Sequence, residues 1–398
     1  MQKLREKIAF LRLNLSWRIL RWLAPLLRWR GAEPSLVLVP CDPWTVIGSR
    51  GDEAMAYAVL QNYRKRHPEG EIAVVTGNAT AAAESEDCRR MQRDFNLVYV
   101  HAWRPRFQIW NIIRAVRRVR ATEVFVLGAD CMDGHYSPYT STILFAVADI
   151  ACRLGLRTRL TGFSWNEHPH PRAVAAAKKT TSDLAILIRD PDSHDRFKAV
   201  LPRAQLVADT AFCLEPLFSD RVREVLKQME SDRKSGRFVL GVNLNPMLKV
   251  DVAAVAQALN AQPNISVYLI PHDYRSGGDL VELGKIDPLL TVPHHLLTEV
   301  YSAAELKALT SGLSGLFTSR MHLGIAALGM GRPIAAFAYQ GKFSGLLRHF
   351  GLSIDRLVEP EANGPRLATV LSCLCAAESV NPDSLAAVRL LAQRNVEV

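Results

Sequence analysis

The chain has 398 residues, 48% hydrophobic and 22% charged, which is ordinary for a globular protein with a sizeable core. Its seven cysteines include no Cys-x-x-Cys pair, which argues against a disulfide framework or zinc site and favours reduced thiols in a cytosol. The net charge of +10 is uneven: residues 1–30 hold eight lysines and arginines against one acid, Glu6.

The first predicted element is a helix at the start of the chain. Seven apolar residues recur at steps of three and four and share one helical face: Leu4, Ile8, Leu11, Leu15, Ile19, Trp22 and Leu26. The longest apolar run, residues 22–27, is too short to cross a bilayer or to form a signal-peptide core. Two interpretations remain open: the helix packs on the body of the protein, or residues 1–30 bind an anionic membrane surface. Nucleic-acid binding is disfavoured, because no basic and aromatic module follows.

Short apolar strands alternate with amphipathic helices from Ser35 onward, which is typical of parallel sheets buried on both faces. The predicted strands of this first set are residues 36–39, 72–76, 97–100, 124–127, 159–161, 185–188 and 206–208. Helices are predicted between most of them, for example at residues 52–66, 110–120 and 140–154.

Residues 217–236 are long, charged and helical in pattern, and we interpret them as the connection between two domains. Further strands are predicted at residues 238–242, 267–270, 316–318 and 334–337, and final helices near 366–377 and 384–395. The predicted organisation is an N-terminal arm (1–32), an α/β domain (33–216), a helical linker (217–236) and a second α/β domain (237–398). We expect two facing Rossmann-like domains with a central cleft.

Residues 315–342 read as a strand, a polar turn, a helix of small residues and a second strand. Parallel strands joined by a helix end at the same edge of a sheet, where ligands bind in open α/β folds. Arg320, His322, Tyr339 and Lys342 should therefore gather near one crevice. The helix beginning near Met321 adds backbone N–H groups and a partial positive charge. This pattern predicts an anion pocket with a proton-transferring histidine, although a histidine at a helix start is also often a cap.

The same segment resembles the polysaccharide pyruvyl transferase family, which has a late Ser-Arg-(Leu/Met)-His turn, a small-residue helix, Gly-x-Pro and Tyr-x-x-Lys. Here these are Ser319-Arg320-Met321-His322, Gly331-Arg332-Pro333 and Tyr339-Gln340-Gly341-Lys342. Three further stretches match in order: Gly51-Asp52, Arg189–Ser193 and Asp209–Phe212. Two stretches depart from the family pattern: a glycine run is replaced by Leu127-Gly128-Ala129-Asp130, and an Asn-x-Gly-Asp turn by Ser49-Arg50-Gly51-Asp52.

The resemblance implies an architecture like the GT-B fold and the transfer of an enolpyruvyl group from phosphoenolpyruvate to a sugar, giving a pyruvate ketal. The implied acceptor is a cell-surface polysaccharide or its lipid-linked precursor. No cofactor and no metal ion are expected. We expect a cytoplasmic protein, peripheral on the inner face of the cell membrane.

A donor that carries a phosphate and a carboxylate requires bidentate cations and backbone N–H groups. Arg320 is the first candidate, and Arg189 is the second, with a salt bridge to Asp190 or Asp192 as the alternative role for Arg189. Lys342 is a third candidate cation. Ser319, Met321 and Tyr339 complete the predicted substrate-binding residues.

His322 is the predicted catalytic acid or base, since an ordinary histidine titrates near neutral pH. An acidic residue would supply the complementary role, and Asp52, Asp130 and Asp133 lie at suitable strand ends. Asp52 could instead cap a helix. Four further polar residues after predicted strands could touch the donor or merely be loop residues: Asn243, Asn245, His272 and Asp273.

Two other functions remain open. One is a nucleotide-sugar glycosyltransferase of the same two-domain shape, although no two glutamates after Gly236 show the Glu-x7-Glu spacing common in retaining members. The other is a non-catalytic, membrane-associated partner in glycan assembly, in which the departure at Ala129-Asp130 marks lost activity.

Overall fold

The structure, a computed structural model, describes residues 2–29, 31, 33–104, 107–338, 341–362 and 364–397, with the side chains of all but residues 2–4. The chain divides into two compact units. The first unit comprises Met1–Gly48, Met55–Thr210 and Leu391–Val398, and the second comprises Ser49–Ala54 and Ala211–Leu390.

The first unit is built on a seven-stranded, fully parallel sheet in the order β3-β2-β1-β4-β5-β6-β7. Its strands are β1 (Ser35–Val39), β2 (Glu71–Thr76), β3 (Val98–His101), β4 (Glu123–Ala129), β5 (Arg157–Phe163), β6 (Ala185–Ile188) and β7 (Gln205–Leu206). The helices up to this point are α1 (Gln2–Leu23), α2 (Arg50–Arg66), α3 (Ala79–Glu84), α4 (Glu86–Phe95), α5 (Gln108–Arg118), α6 (Pro138–Arg153), α7 (Pro171–Lys179) and α8 (Pro191–Lys198). Every residue of β1 and β4 is buried, because helices cover both faces of the sheet.

The N-terminal helix α1 is part of this core. Leu13, Trp17 and Leu20 are buried in it, and the indole Nε1 of Trp17 donates a 2.8 Å hydrogen bond to the buried carboxylate of Asp149 on α6. The helix therefore packs on the body of the protein, but not through the face that the periodicity singled out. Six residues of that face are exposed and are called the exposed stripe below: Ile8, Leu11, Leu15, Ile19, Trp22 and Leu26.

The second unit has a six-stranded, fully parallel sheet in the order β10-β9-β8-β11-β12-β13. Its strands are β8 (Phe238–Asn243), β9 (Ile265–Leu269), β10 (His294–Leu296), β11 (Gly315–Thr318), β12 (Ile334–Phe337) and β13 (Leu357–Val358). The remaining helices are α9 (Asp220–Lys234), α10 (Val252–Asn260), α11 (Asp279–Ile286), α12 (Ala303–Thr310), α13 (Met321–Gly329), α14 (Lys342–His349), α15 (Gly364–Cys375) and α16 (Pro382–Gln393). A separate hydrophobic core joins this sheet to α10, α11 and α15.

The prediction of two parallel α/β domains is confirmed, and each predicted strand overlaps an observed one. Two edge strands, β10 and β13, were not predicted, because they have only three and two residues and lack an apolar run. The predicted linker contains α9, while the division between the units falls after Thr210 and assigns Ser49–Ala54 to the second unit. No helix in the described part of the chain is long and apolar enough to cross a membrane.

Candidate functional site

The turn between β11 and α13 places the central residues of the site. β11 is buried throughout and ends at Thr318, whose hydroxyl accepts a 3.0 Å hydrogen bond from the N–H of Arg320. Arg320 is extended (φ −111°, ψ 113°) and precedes the first residue of α13, Met321. His322 is therefore in the first turn of α13, at the carboxyl edge of the sheet, as the strand-turn-helix pattern predicts.

Buried side chains tie the ends of three adjacent strands together at this edge. Asn243, at the end of β8, donates to the carboxylate of Asp279 (2.8 Å), the first residue of α11. The same carboxylate oxygen accepts the N–H groups of His272 (3.0 Å) and Asp273 (3.1 Å), which follow β9. Thr318, at the end of β11, donates to the amide oxygen of Asn243. The polar residues after β8 and β9 therefore have a structural role at this edge.

Arg320 extends this network toward solvent. Its Nε and Nη2 atoms lie 3.0 and 2.6 Å from one oxygen of Asp279, and Nη2 lies 3.3 Å from Asp273. Asp279 is fully buried, whereas the Arg320 side chain is 16% exposed. The two carboxylates fix the plane of the guanidinium and balance its charge.

Arg275 pairs with Asp273 from the solvent side, at 2.6 Å. Burial raises the pKa of Asp273, but hydrogen bonds from Arg275 and the charges of Arg275 and Arg320 outweigh it and lower that pKa to about 2. Both carboxylates beside Arg320 are thus matched by arginines, so a net positive charge for an anionic ligand must come from other groups.

Gly51 lies directly against the imidazole of His322. A Cβ added at Gly51 would lie 2.3 Å from Nδ1 and 2.8 Å from Cγ of His322, closer than real Cβ contacts allow. Only glycine therefore permits this approach of the first turn of α2 to the ring. The Gly-Asp pair, a weak signal in the sequence, thus brings Gly51, the neighbour of Asp52, against the histidine.

Arg50 and Glu53 on the same turn belong to the site and were missed by sequence reasoning. Arg50 is 4% exposed, its Nη1 lies 2.6 Å from Glu53, and its guanidinium faces the ring of Tyr274 at 5.3 Å. The carboxylate of Glu53 also accepts the N–H of Ala303, the first residue of α12. The sequence did contain a signal for Arg50. It occupies the variable position of the family's Asn-x-Gly-Asp turn, which is Ser49-Arg50-Gly51-Asp52 in this chain.

A small cavity is lined in part by His322. It measures about 10 Å³, room for at most one water, and its polar lining is Arg50, His272, Lys307 and His322. Burial, followed by the nearby Arg320, His322 and Arg50, holds the pKa of His272 well below its usual range, so this ring is neutral at neutral pH. Burial also lowers the pKa of Lys307 to about 8, and its Nζ donates to the carbonyls of Phe212 (2.9 Å) and Leu214 (2.6 Å). The side chains that line this cavity are therefore closely packed.

The other predicted residues of the second unit divide into three groups. Asp52 is the third residue of α2, and its N–H donates to the hydroxyl of Ser49, which donates in turn to the Asp52 carboxylate; the capping residue is therefore Ser49, and the alternative role of Asp52 as the cap is wrong. Ser319 is fully buried and bonds to Asn243, and Met321 is 7% exposed. Lys342 is half-buried at the start of α14 after β12, and Tyr339 lies outside the described residues.

Arg189 and Asp130 lie at the carboxyl edge of the first sheet, in the first unit. Arg189 is 4% exposed, with Nη1 3.1 Å from Asp209 and Nε 2.7 Å from Ser164. Its ion-pair partner is Asp209 and not Asp190, because the carboxylate of Asp190 accepts the N–H of Ser193 and the hydroxyl of Ser164 and caps α8.

Asp130 accepts a 3.3 Å hydrogen bond from the hydroxyl of Tyr136 and is one of the charges near Arg189. Asp133 is 1% exposed and accepts the N–H groups of His135 and Asn166. Burial raises the pKa of Asp133. Its hydrogen bonds hold the loop after β4, which is a structural role. Among the described residues no cluster of three or more His, Cys, Asp or Glu is arranged to hold a metal ion.

The chain is similar in structure to several solved enzymes. A putative UDP-N-acetylglucosamine 2-epimerase of Listeria monocytogenes is 13% identical with a TM-score of 0.56, covering 91% of this chain and 94% of that one. A glycosyltransferase of Rickettsia africae is 10% identical with a TM-score of 0.53, covering 92% and 93%. HepE of Anabaena in complex with UDP-glucose is 11% identical with a TM-score of 0.51, covering 91% and 94%. At these identities the likeness defines the class of fold alone, which is GT-B-like.

The sequence then defines the family within that class. The model of the polysaccharide pyruvyl transferase family matches residues 50–341, and the chain therefore belongs to this family. The match begins at Arg50 and includes the turn with Gly51 and the whole segment from β11 through β12. The protein is accordingly a transferase of polysaccharide biosynthesis with a sugar or polysaccharide acceptor. No curated protein matches the chain.

Proposed function

We propose that this protein transfers the enolpyruvyl group of phosphoenolpyruvate to two hydroxyls of one sugar in a cell-surface polysaccharide or its lipid-linked precursor. The observation that carries the proposal is the position of His322, fixed against Gly51 in the first turn of α13 and beside the oriented Arg320. In the reaction both sugar oxygens bond to C2 of the donor, the C2–O bond to phosphate breaks, and the methylene carbon gains a proton. One hydroxyl proton reaches that carbon and the other leaves with phosphate.

The donor anion would bind at the amino end of α13. The first N–H groups of this helix point toward the carboxyl edge and carry partial positive charge. The ion pairs of Arg320 engage Nε and Nη2, which leaves Nη1 for a carboxylate or phosphate oxygen. Lys342 at the start of α14 would add a cation, since the charges of Arg320 and Arg275 are already balanced by Asp273 and Asp279. Arg189 and the predicted contacts of Ser319, Met321 and Tyr339 remain part of this proposal.

His322 would move the proton. Its close contact with Gly51 would help to hold the ring within reach of the donor, and general acid–base catalysis requires such reach. Asp52, next to Gly51, would supply the complementary acid or base for the sugar hydroxyl. Asp130 in the first unit would contact the acceptor. We propose that this chemistry takes place without a cofactor or metal ion, in the cytoplasm at the inner face of the cell membrane.

Ligand-dependent stabilisation tests this proposal directly. Phosphoenolpyruvate at one hundred times its Kd should stabilise the protein by about 2.7 kcal/mol and raise its melting temperature. Stabilisation by UDP-glucose but not by phosphoenolpyruvate would favour a glycosyltransferase, an alternative that the likeness to the UDP-glucose complex of HepE supports. Failure of both ligands to stabilise the protein would favour a non-catalytic partner in glycan assembly.

A further inference from the structure

The N-terminal helix α1 has two apolar faces, and only one of them has a partner within the described structure. Leu13, Trp17 and Leu20 are buried in the first unit. From Ile8 to Trp22 the exposed stripe lies roughly opposite, since α-helical residues advance by about 100°, and Leu26 follows in the 3-10 turn after α1. The six side chains of the stripe are between 40% and 75% exposed, and Trp22 and Leu26 are the most exposed of them. Single exposed apolar residues are common, but a continuous stripe of this kind marks a binding surface.

Basic residues flank the exposed stripe on both sides. At about 100° per residue, Arg5 and Arg12 project roughly 60–80° to one side of the stripe, and Lys7 and Arg18 project by the same angle to the other. All four are exposed. The one acidic residue of the segment, Glu6, points roughly opposite to the stripe. An apolar stripe with a tryptophan and two cationic borders is the pattern of a helix that lies in a membrane interface.

We propose that the exposed stripe docks the first unit on an anionic lipid bilayer, with α1 lying flat in the interface and its opposite face kept in the protein core. Negatively charged headgroups complement both borders of the stripe, and the apolar side chains enter the acyl boundary. A second copy of the chain fits this surface poorly, because pairing two stripes would bring cationic borders together.

The helix is held in place before it meets a membrane. Trp17 is hydrogen-bonded to Asp149, and Nε of Arg28 donates to the carbonyl of Arg153 at the end of α6. Docking therefore needs no coupled folding, in contrast to a disordered arm that must order its backbone on the surface.

The direction of α1 determines which end of the exposed stripe lies near the carboxyl edge of the first sheet, where Asp130 is proposed to contact the acceptor. Phe10 packs on Tyr139 in the first turn of α6 at 5.4 Å, whereas Arg28 contacts the last residue of α6. The two helices therefore run parallel, so the amino end of α1 lies at the carboxyl edge of the sheet, where Asp130 follows β4. With α1 flat on the bilayer the strands run along its surface and the carboxyl edge faces sideways; if the proposed function holds, this orientation leaves the edge open to a lipid-linked acceptor.

Vesicle flotation of the full-length protein tests the docking surface without any reading of activity. The parent should float with phosphatidylglycerol–phosphatidylcholine vesicles at low salt and remain in solution with pure phosphatidylcholine. The stripe variant combines Leu11→Gln, Leu15→Gln and Trp22→Gln. We expect its binding to the anionic vesicles to fall by tenfold or more. The matched control combines Leu217→Gln, Ile354→Gln and Leu390→Gln, which replace three similarly exposed apolar residues outside the stripe. We expect the control to float like the parent.

A second pair of variants tests the borders and does not depend on the first. Each basic residue near an anionic surface contributes about fivefold in partitioning. The border variant combines Arg5→Gln, Lys7→Gln, Arg12→Gln and Arg18→Gln. We therefore expect it to bind anionic vesicles far more weakly than the parent. The control removes four exposed lysines of the body and should bind nearly as the parent does: Lys178→Gln, Lys198→Gln, Lys227→Gln and Lys234→Gln together.

Three outcomes would overturn the proposal. One is a parent protein that does not float with anionic vesicles at low salt. Another is a stripe variant with a parent-like melting temperature that still floats as well as the parent. The third is a parent dimer in sedimentation velocity that the stripe variant reduces to a monomer, with no vesicle binding by either protein. Since none of these measurements involves phosphoenolpyruvate, they leave the proposed reaction to its own test.

Discussion

At the scale of single residues, the contact between Gly51 and His322 joins two segments far apart in the chain. We expect Gly51→Ala to displace the imidazole, since the new Cβ would lie 2.3 Å from Nδ1, and to lower turnover while costing about 1–3 kcal/mol in stability. The control is Gly284→Ala in α11, where nothing lies within 4 Å and helix propensity should improve. In a double-mutant cycle, Gly51→Ala should lower turnover little further once His322 is alanine. Additive effects would show that Gly51 acts on something other than the ring.

His322→Ala should lower turnover by about two to four orders of magnitude, the range typical of a lost general acid or base, and should leave the melting temperature nearly unchanged. His295→Ala is a suitable control, because this histidine is 41% exposed on the edge strand β10. Steady-state rates with phosphoenolpyruvate and a sugar acceptor measure both. A well-folded His322→Ala protein with parent-like turnover would remove this residue from the proposed mechanism.

Arg320→Lys should weaken binding of phosphoenolpyruvate although the charge is retained. A lysine cannot bond to Asp279 through two nitrogens and present a third to a ligand, and a lost hydrogen bond to a charged group costs about 1.5–3 kcal/mol. Calorimetric titration gives the Kd, and thermal melting separates binding from stability. Arg275→Lys, which changes the exposed partner of Asp273, is the control. Unchanged affinity with a lower melting temperature would make Arg320 purely structural.

At the scale of the element, the amino end of α12 depends on one buried carboxylate. Glu305 completes a capping box with Ser302 and also accepts hydrogen bonds from Arg221 and Ser219. Burial raises its pKa, but these hydrogen bonds outweigh burial and lower the pKa from 4.5 to about 2. The folded state thus remains ionised where the unfolded chain takes up a proton, so the stabilisation is complete above pH 4.5 and is lost as the pH falls toward 2.

Glu305→Gln should therefore lower the melting temperature at pH 7, and the gap from the parent should close as the pH falls through this window. The lowering of the Glu305 pKa corresponds to about 3 kcal/mol of stabilisation of the folded state at pH 7. Glu299→Gln is the control, since Glu299 also lies near Arg221, at 3.6 Å, but is 59% exposed. A difference in melting temperature that stays constant between pH 7 and pH 2 would show that the ionised Glu305 carboxylate does not stabilise the folded state.

At the scale of the whole molecule, α1 contributes to the core of the first unit, and truncation of residues 1–30 would remove buried Leu13, Trp17 and Leu20. Trp17→Phe should lower the free energy of unfolding by about 1–3 kcal/mol, because it leaves the buried Asp149 without its indole donor. Trp22→Phe, on the exposed stripe of the same helix, should leave stability unchanged. Thermal or urea unfolding compares the two. Equal stability of both variants would show that α1 is not part of the core.

The sequence alone determined the two parallel α/β units and the strand-turn-helix around Arg320 and His322. Both follow from local patterns: strands buried on both faces are continuously apolar, and a strand that leads into a helix of small residues fixes the turn between them. The family followed from motifs of the same local kind. Short edge strands such as β10 lack such a pattern and were missed.

The tertiary structure alone decided which residues meet. Arg320 and Asp279 are 41 positions apart, and their ion pair depends on the order β9-β8-β11, which no periodicity specifies. The contact between Gly51 and His322 likewise requires the first turn of α2 to lie against α13. For α1, periodicity identified an apolar face, but the helix has two, and only packing determines which one is buried. Local patterns set the elements because they depend on neighbours in the chain, whereas site contacts and exposed faces depend on neighbours in space.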